Sequence, residues 1–128
     1  LGLQLLFETS EESPGVRGLG VLKGRVRRLP RAPRTLKVPH MGWNQLAWRP
    51  GMSRCPVRQN VPAGGFVYFV HSYYAAPADR RVIAAETTYG CRFPSVIWQG
   101  SLVATQFHPE KSQQVGLTLL RNWLRQPC

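Results

Sequence analysis

Two strand-like segments joined by a very short connection constrain the fold of this chain more than any other feature. Residues 93–98 and 102–107 are rich in β-branched and aromatic side chains, and Gln99-Gly100 between them is typical of a two-residue hairpin turn. Strands joined this closely pair antiparallel, because a parallel pair needs a crossover of roughly a dozen residues. The pair therefore favours the antiparallel flank of a mixed α/β sheet over a complete doubly wound fold.

The remaining patterns predict further strands between two helices. An apolar repeat over residues 1–6 predicts a short helix that ends near Ser10. Ser112 is a candidate N-cap for a closing amphipathic helix that runs to about Arg125. Strands are predicted at residues 18–29 (an edge strand), 37–48 (after a bend), 66–70 and 82–88, with loops or turns at 29–35, 49–65 and 77–81.

Length and charge limit the class of protein. The 128 residues, 43% of them hydrophobic, suffice for one compact domain and are too few for two. The formal net charge is +11, and no acidic residue lies between Glu12 and Asp79. Such a basic surface attracts nucleic acid, acidic protein or phosphorylated substrates, and it is also typical of a solvated surface in an arginine-rich proteome. The motifs of sequence-specific nucleic-acid readers are missing. The basic residues of this stretch are Arg17, Lys23, Arg25, Arg27, Arg28, Arg31, Arg34, Lys37, Arg49, Arg54 and Arg58.

The cysteines and the lengths of the apolar runs indicate the cellular environment of the protein. Cys55, Cys91 and Cys128 form no C-x-x-C pair, and an odd count at wide spacing argues against a disulfide framework. We therefore predict a reducing, cytoplasmic environment. No apolar run approaches the roughly 18–20 residues that cross a bilayer. The chain opens inside an apolar helical pattern, without an initiator Met or a basic signal region, and we interpret this opening as a cut.

Candidate chemistry lies at His108-Pro109-Glu110, directly after the second hairpin strand. A histidine at the carboxyl end of a strand occupies the position where α/β folds place their sites. Glu110 can turn back and fix the tautomer of the imidazole, as the base and its orienting partner do in a catalytic triad. Pro109 stiffens the turn between them. Taken alone, this pattern is also typical of a structural histidine.

In its context, the stretch from Gln106 to Ser112 resembles the histidine–glutamate end of the class I, triad-type glutamine amidotransferases. The opening Leu1-Gly2-Leu3-Gln4 resembles the remainder of that family's G-x-C-x-G-x-Q elbow, immediately after its cysteine. Three further segments, residues 39–44, 68–73 and 88–90, resemble the amidotransferase subunits of imidazole glycerol phosphate synthase. The likeness extends over nearly the whole chain.

The resemblance implies a fold, a reaction and a partner. The fold is the C-terminal part of the flavodoxin-like class I amidotransferase fold, a single partial domain over residues 1–128 with a mixed sheet, antiparallel hairpins and a closing helix. The reaction is the hydrolysis of glutamine to glutamate and ammonia. Ammonia then passes to a (β/α)8-barrel cyclase subunit in histidine biosynthesis, as part of a heterodimer. No cofactor and no metal is implied.

The resemblance also implies roles for individual residues. His108 stabilises the thiolate of the nucleophile and protonates the leaving ammonia, and Glu110 orients His108. The backbone N–H of Leu1 helps to form the oxyanion hole. Substrate contacts are implied for Gln4, Ser72 and Tyr73, and contacts with the cyclase subunit for Trp43, Asn44 and Lys111.

The chain departs from the family pattern in its nucleophile. None of the three cysteines lies on a G-x-C-x-G elbow, and the central parallel strands of the fold have no counterpart. We therefore predict that residues 1–128 alone are inactive. We also expect marginal stability, because Leu3, Leu6 and the strand at 66–70 lose apolar partners and net stability is only about 5–15 kcal/mol.

Two other functions stay open at this point. One is a class I amidotransferase that serves another synthase, such as that of anthranilate, guanylate or pyridoxal phosphate synthesis, and the binding partner discriminates between these. The other is a basic nucleic-acid-binding or ribosome-associated module that uses the arginines of residues 17–58, which predicts binding that weakens steeply with salt. The resemblance gives no mechanistic reason for the density of arginine at residues 25–34.

Overall fold

A computed structural model describes residues 1–31 and 33–127. Over these residues the chain forms two α-helices, nine strands and two 3-10 turns, the turns being Arg80–Val82 and Pro109–Lys111. Neither of the helices in this described part is long and apolar enough to cross a membrane. The helices are α1 (Gly2–Leu5) and α2 (Gln113–Leu124), and the strands are β1 (Thr9–Ser10), β2 (Gly24–Arg28), β3 (His40–Gln45), β4 (Ala47–Trp48), β5 (Phe66–His71), β6 (Tyr73–Pro77), β7 (Ile83–Tyr89), β8 (Cys91–Gln99) and β9 (Leu102–Thr105).

The strands form three small sheets in which antiparallel pairs predominate. β4, β7, β8 and β9 are hydrogen-bonded in that order, with every pair antiparallel, and β3 pairs antiparallel with β5. β2 lies between β1, to which it is parallel, and β6, to which it is antiparallel. The predicted mixed β-structure with antiparallel hairpins and a closing helix is confirmed.

The predicted hairpin exists, with its turn shifted by one residue. Gln99 pairs with Leu102, so the loop consists of Gly100 and Ser101 and not of Gln99 and Gly100. The φ angle of Gly100 is +59°, in the left-handed region that glycine adopts without steric cost. The glycine was therefore the correct signal for the turn, and only its position within the loop was misjudged.

The second hairpin strand is shorter than predicted. β9 ends at Thr105 and not at Phe107. The Thr105 hydroxyl donates a hydrogen bond to the carbonyl of Phe107 at 3.1 Å and so turns the chain out of the sheet. This turn directs His108 towards β5, where its N–H donates to the carbonyl of Tyr68 at 3.0 Å.

The first helix is also shorter than predicted. α1 ends at Leu5, and Thr9–Ser10, which was predicted to be helical, forms β1 and pairs with Arg25 and Val26. Phe7 is fully buried in one cluster with Val26. A helix of one turn has little stability of its own, so this tertiary packing outweighs the local helical pattern.

The strand predicted at a sheet edge lies inside its sheet. β2 has β1 on one side and β6 on the other. Val26 is buried while Arg25 and Arg27 are exposed, as expected for a strand with one solvent face. The carboxylates of Glu8 and Glu11 accept hydrogen bonds from backbone N–H groups at the two ends of β2. The two-residue β1 was too short to be found in the sequence.

Two apolar clusters hold the sheets and helices together. The first packs α2 against β5, β7 and β8, and the second packs α1 against β2, β6 and β8. Large side chains of the first are Val67, Phe69, Phe93, Val96, Phe107 and Leu119, and those of the second are Leu3, Phe7, Val26, Val82 and Ile97. The second cluster fixes the position of α1, and with it the polar face of the first turn.

The expectation that the opening helix loses its apolar partners is wrong for Leu3. Its side chain is 4% exposed within the second cluster, and Leu6 is partly buried against the same cluster. The expectation is correct for part of β5, since Phe66 is 53% exposed and Val70 is 38% exposed. Apolar surface thus remains uncovered on one face of β5, but not beneath α1.

Ser112 begins α2 as predicted, but its hydroxyl does not cap the helix. Ser112 is the N-cap residue, and no side-chain capping bond is present there. The hydroxyl donates to the carbonyl of His108 at 2.6 Å and accepts from the N–H of Tyr68 at 3.0 Å. Ser112 therefore links β5 to the turn that carries His108.

We expect Gly116→Ala to lower the free energy of unfolding by roughly 1–3 kcal/mol. Gly116 is buried in α2, and a Cβ at this position overlaps the carbonyl of Pro109 and contacts the side chain of Ser112. Backbone must therefore move, which costs more than the shift of a flexible side chain. Urea unfolding measures the change.

Gly2→Ala is the matched control, because no atom lies within 4 Å of a Cβ added in α1 at this position. It should leave the free energy of unfolding within about 0.5 kcal/mol of the parent. Equal stability of the two variants would contradict the close approach of α2 to Pro109.

Candidate active site

A cleft of about 410 Å³ lies between α1, the junction of β5 with β6, and the end of β9. These three parts of the chain are distant in sequence, and the two apolar clusters bring them together. Five of the residues that were singled out in the sequence line this cleft: Leu1, Gln4, Ser72, Tyr73 and His108. The imidazole of His108 and the first residue of the chain therefore border the same space.

His108 and Glu110 form a hydrogen-bonded pair at one wall of the cleft. The Nδ1 atom of His108 lies 3.0 Å from Oε1 of Glu110. Because an ionised carboxylate only accepts hydrogen bonds, Nδ1 carries a proton and Nε2 is left for proton transfer. The pKa of Glu110 is held below its usual value, first by the hydrogen bond from its own backbone N–H and then by the imidazole. This is the geometry of a base with its orienting carboxylate.

Gln4 lies on α1, opposite this pair. Its Nε2 donates to the backbone carbonyl of Tyr73 at 3.0 Å and lies 3.5 Å from Oε1 of Gln106. These two bonds fix the amide, so its orientation in the cleft is set before any ligand enters. Gln106 is buried and lines the cleft, and it was not singled out as a site residue although it is the second residue before His108.

Ser72 and Tyr73 lie at a bend where the chain leaves one sheet and enters another. β5 ends at His71 and β6 begins at Tyr73. Leu29 N–H donates to the carbonyl of Ser72, so the next pair, Arg28 with Tyr73, is a non-hydrogen-bonded pair of the antiparallel ladder. Both backbone groups of Tyr73 therefore point away from β2, towards α1 and the cleft.

Two further cleft residues, Glu12 and His71, were not predicted. His71 was predicted as the end of a buried strand, within the segment 68–73 that resembles the family, and no role was predicted for it. Its Nδ1 lies 2.8 Å from the carbonyl of Tyr73, and its Nε2 lies 3.0 Å from Nδ1 of His40. Burial lowers the pKa of His71 to about 4, and burial next to His71 lowers the pKa of His40 to about 4. His71 and His40 could have been found in the sequence by pairing the two predicted strands that each carry a histidine at one end.

The residues expected at a partner interface lie outside the cleft. Trp43 is 47% exposed and packs edge-on against Tyr68, with ring centroids 5.7 Å apart. Asn44 donates to the carbonyl of Thr88 at 3.0 Å, and Lys111 is exposed in the turn after Glu110. The structure thus brings these residues to the surface and not to the cleft.

The two cysteines in the described part of the chain do not line the cleft. Cys55 is buried in the first cluster, and Cys91 packs against the same cluster. Burial raises the pKa of both thiols. A nucleophilic cysteine needs a lowered thiol pKa, so neither has the environment of a nucleophile. Cys128 lies outside the described residues.

Comparison with known proteins agrees with this arrangement. The family model described as glutamine amidotransferase class-I matches residues 1–126. This chain belongs to that family. The predicted family and the predicted fold class, an α/β class I amidotransferase domain with mixed sheets and a C-terminal helix, are both confirmed.

Individual relatives show which proteins of this family the chain is similar to. The chain is 51% identical over 128 residues to imidazole glycerol phosphate synthase subunit HisH of Syntrophotalea carbinolica, covering 96% of this chain and 60% of that protein. It is 51% identical over 127 residues to the subunit of the same name from Geobacter sulfurreducens, with 96% and 59% covered. The Geobacillus kaustophilus subunit is 48% identical over 128 residues, with 97% and 58% covered. The chain spans about three fifths of the length of these relatives.

Proposed function

We propose that this chain carries the histidine–glutamate half of a glutaminase active site, within the amidotransferase subunit of an imidazole glycerol phosphate synthase. The observation that carries the proposal is the pair of His108 and Glu110, 3.0 Å apart, at the wall of a cleft that Gln4 and Tyr73 also line. The relatives called imidazole glycerol phosphate synthase subunit HisH support the choice of synthase over other amidotransferase systems.

The proposed chemistry follows from the polar groups around the cleft. A cysteine thiolate attacks the side-chain amide carbon of glutamine, and the N–H of Leu1 stabilises the resulting oxyanion. His108 gives its proton to the leaving ammonia, and a thioester with the glutamyl group remains. His108 then takes a proton from water, which attacks the thioester and releases glutamate. Glu110 stabilises the charged imidazole in the first step.

We propose that the thiolate in this scheme is supplied by a cysteine outside residues 1–128. Cys55 and Cys91 are unsuited because their pKa values are raised and they lie away from the cleft lining. In this proposal residues 1–128 form a single partial domain. Glutamine binds between Gln4 and the N–H of Tyr73, whose orientation towards the cleft suits a carboxylate.

Ammonia then passes to a cyclase subunit in a cytoplasmic heterodimer. The exposed Trp43 and Lys111 and the adjacent Asn44 are the proposed contacts with that subunit. Exposed aromatic side chains such as Trp43 are of the kind that protein interfaces favour. No cofactor takes part in this scheme.

A hybrid subunit tests the proposal. It joins the unmatched segment of the Syntrophotalea carbinolica relative in front of Leu1 and is assembled with the remainder of that synthase. We expect glutamine-dependent release of glutamate and ammonia from the hybrid, and none from residues 1–128 alone. A correctly folded hybrid without turnover would exclude the proposed function.

In the same hybrid we expect Glu110→Gln to lower kcat by about 10–100-fold with little change in KM. Glutamine in place of glutamate keeps the size of the side chain but removes the negative charge that stabilises the imidazolium. Steady-state glutaminase kinetics measure the change. Glu12→Gln is the matched control, because Glu12 lines the same cleft without an imidazole partner, and its kcat should stay within threefold of the parent. An equal loss in both variants would contradict the role of Glu110.

A further inference from the structure

We infer that His71, held in place by His40, is a positioning residue for glutamine: it fixes the bend at Ser72 and the carbonyl of Tyr73, on which Gln4 depends. The inference rests on the proposed glutaminase function and adds to it two buried histidines that take no part in the proposed chemistry. They do not react with glutamine themselves. Their effect is on how well the cleft is formed before glutamine enters.

The strand pairing brings the two imidazoles together. His40 at the start of β3 is directly opposite His71 at the end of β5. The two side chains are 3% and 7% exposed, respectively. His40 is stacked between Tyr89 and Phe69, with ring centroids 3.9 and 4.8 Å away. The pair is therefore largely shielded from solvent, although His71 also borders the cleft.

The hydrogen bonds fix the tautomer of both rings. The carbonyl of Tyr73 only accepts, so Nδ1 of His71 carries the proton and donates to it at 2.8 Å. Nε2 of His71 is then an acceptor, and Nδ1–H of His40 donates to it at 3.0 Å. Nε2 of His40 in turn faces the Nδ2 amide group of Asn44 at 3.4 Å. The result is one directed chain of donors from Asn44 through both rings to Tyr73.

This series of hydrogen bonds ends at the carbonyl of Tyr73, in the part of the cleft that holds Gln4. The carbonyl of Tyr73 accepts both from Nδ1 of His71 and from Nε2 of Gln4, at 2.8 and 3.0 Å. Because His71 and Tyr73 flank Ser72, the histidine bond spans the bend and sets its angle. If that bond is lost, the N–H of Tyr73 and the amide of Gln4 both lose their fixed direction. Weaker binding of glutamine follows, with little change in the step that His108 carries out.

The directed chain requires both rings to be neutral. A second proton on Nε2 of His71 would face Nδ1–H of His40 at 3.0 Å, and one on Nε2 of His40 would face the amide N–H of Asn44 at 3.4 Å. Burial is the main reason that the pKa of each ring lies near 4, well below the ordinary value for histidine. The phenol of Tyr89 also packs on the pair, and its hydroxyl is turned away and donates to the carbonyl of Lys37. The positioning bonds are therefore intact at neutral pH.

Two substitutions of His71 separate its two hydrogen bonds. The amide of asparagine reaches the place of Nδ1 and keeps the bond to Tyr73, whereas the amide of glutamine reaches the place of Nε2 and keeps only the bond to His40. In the hybrid subunit we expect His71→Gln to raise the KM for glutamine about tenfold with kcat within threefold of the parent. We expect the KM of His71→Asn for glutamine to lie within threefold of that of the parent.

Val96→Ala is the control for a general loss of stability, because Val96 is fully buried in the first cluster and lines no part of the cleft. Its KM should be unchanged. Long-range ¹H–¹⁵N spectra of the parent should report protons on Nδ1 of both rings at pH 7, a readout that does not depend on turnover.

The outcomes distinguish the inference from the proposed function. An inactive parent hybrid overturns the proposed function and the positioning role with it. An active parent in which His71→Gln and His71→Asn have the same KM overturns the positioning role alone. Spectra with protons on Nε2 of both rings overturn it as well, whatever the kinetics.

Discussion

Replacement of His108 by alanine in the assembled hybrid is expected to lower kcat for glutamine hydrolysis by at least about 10³-fold. Its imidazole lies at the cleft wall and is paired with a carboxylate, through Nδ1 of His108 and Oε1 of Glu110 at 3.0 Å. Both steps of the proposed reaction transfer a proton through this ring, so no neighbouring residue replaces it.

The substitution should change chemistry and leave folding intact. The side chain of His108 is 40% exposed and belongs to neither apolar cluster. Its backbone N–H and carbonyl, which bond to Tyr68 and Ser112, are kept by alanine. We therefore expect an unchanged midpoint of urea unfolding and a KM within threefold of the parent.

Gln114→Ala is the matched control, an exposed position in the first turn of α2. It should leave kcat within twofold of the parent. Turnover of His108→Ala within tenfold of the parent would show that His108 is not the general acid, even if the hybrid is an active glutaminase.

Local sequence patterns were sufficient for the elements that depend on local structure. The β8–β9 hairpin follows from the β-branched and aromatic residues on both sides of Gly100, and α2 follows from its amphipathic repeat. The first helix was overestimated because burial of Phe7 depends on β2, which lies far along the chain from α1. β2 was placed at an edge because its neighbour β1 is only two residues long. Both errors concern contacts that no local window contains.

The site divides in the same way. His108, Gln4, Ser72 and Tyr73 were found through short motifs that each lie within a few residues. His71 and its partner His40 were missed because their roles arise only when β3 is paired with β5 in one particular register. Gln106 was missed because its contact with Gln4 joins residues that are far apart in the chain. Within residues 25–34, Arg27 lies 3.9 Å from Glu11, and the guanidinium of Arg28 lies over the ring of Tyr73, 6.0 Å from its centroid.

β5 explains why these features belong to one site. Near its middle, the N–H and carbonyl of Tyr68 bond to Ser112 and His108. At its end, His71 holds the bend that carries Tyr73. A single strand therefore fixes both the imidazole wall of the cleft and the wall that binds glutamine. Changes in the position of β5 should affect the chemistry and substrate binding together, whereas substitutions of His108 or of His71 should each affect only one of them.

Acidification is expected to destabilise the protein through His40 and His71 before any carboxylate is involved. In the unfolded chain each imidazole has its ordinary pKa near 6.5, whereas burial lowers the folded pKa of each to about 4. Between these two values the unfolded state binds more protons, so the free energy of unfolding rises with pH. The contribution is complete above pH 6.5 and is lost as the pH falls towards 4.

The expected loss at pH 5 is on the order of 2 kcal/mol for each imidazole, a large part of a typical net stability of about 5–15 kcal/mol. Asp79 and Glu110 have lowered pKa values, so their paired carboxylates affect stability only below about pH 4.5. Urea unfolding of the hybrid at pH 7 and pH 5 therefore measures the contribution of the two buried histidines to the free energy of unfolding. His40→Phe combined with His71→Phe keeps aromatic packing against Phe69 and should remove most of the difference between the two pH values. His108→Ala, which removes an exposed imidazole instead, should keep that difference, and a double variant that remains as acid-sensitive as the parent would refute the assignment.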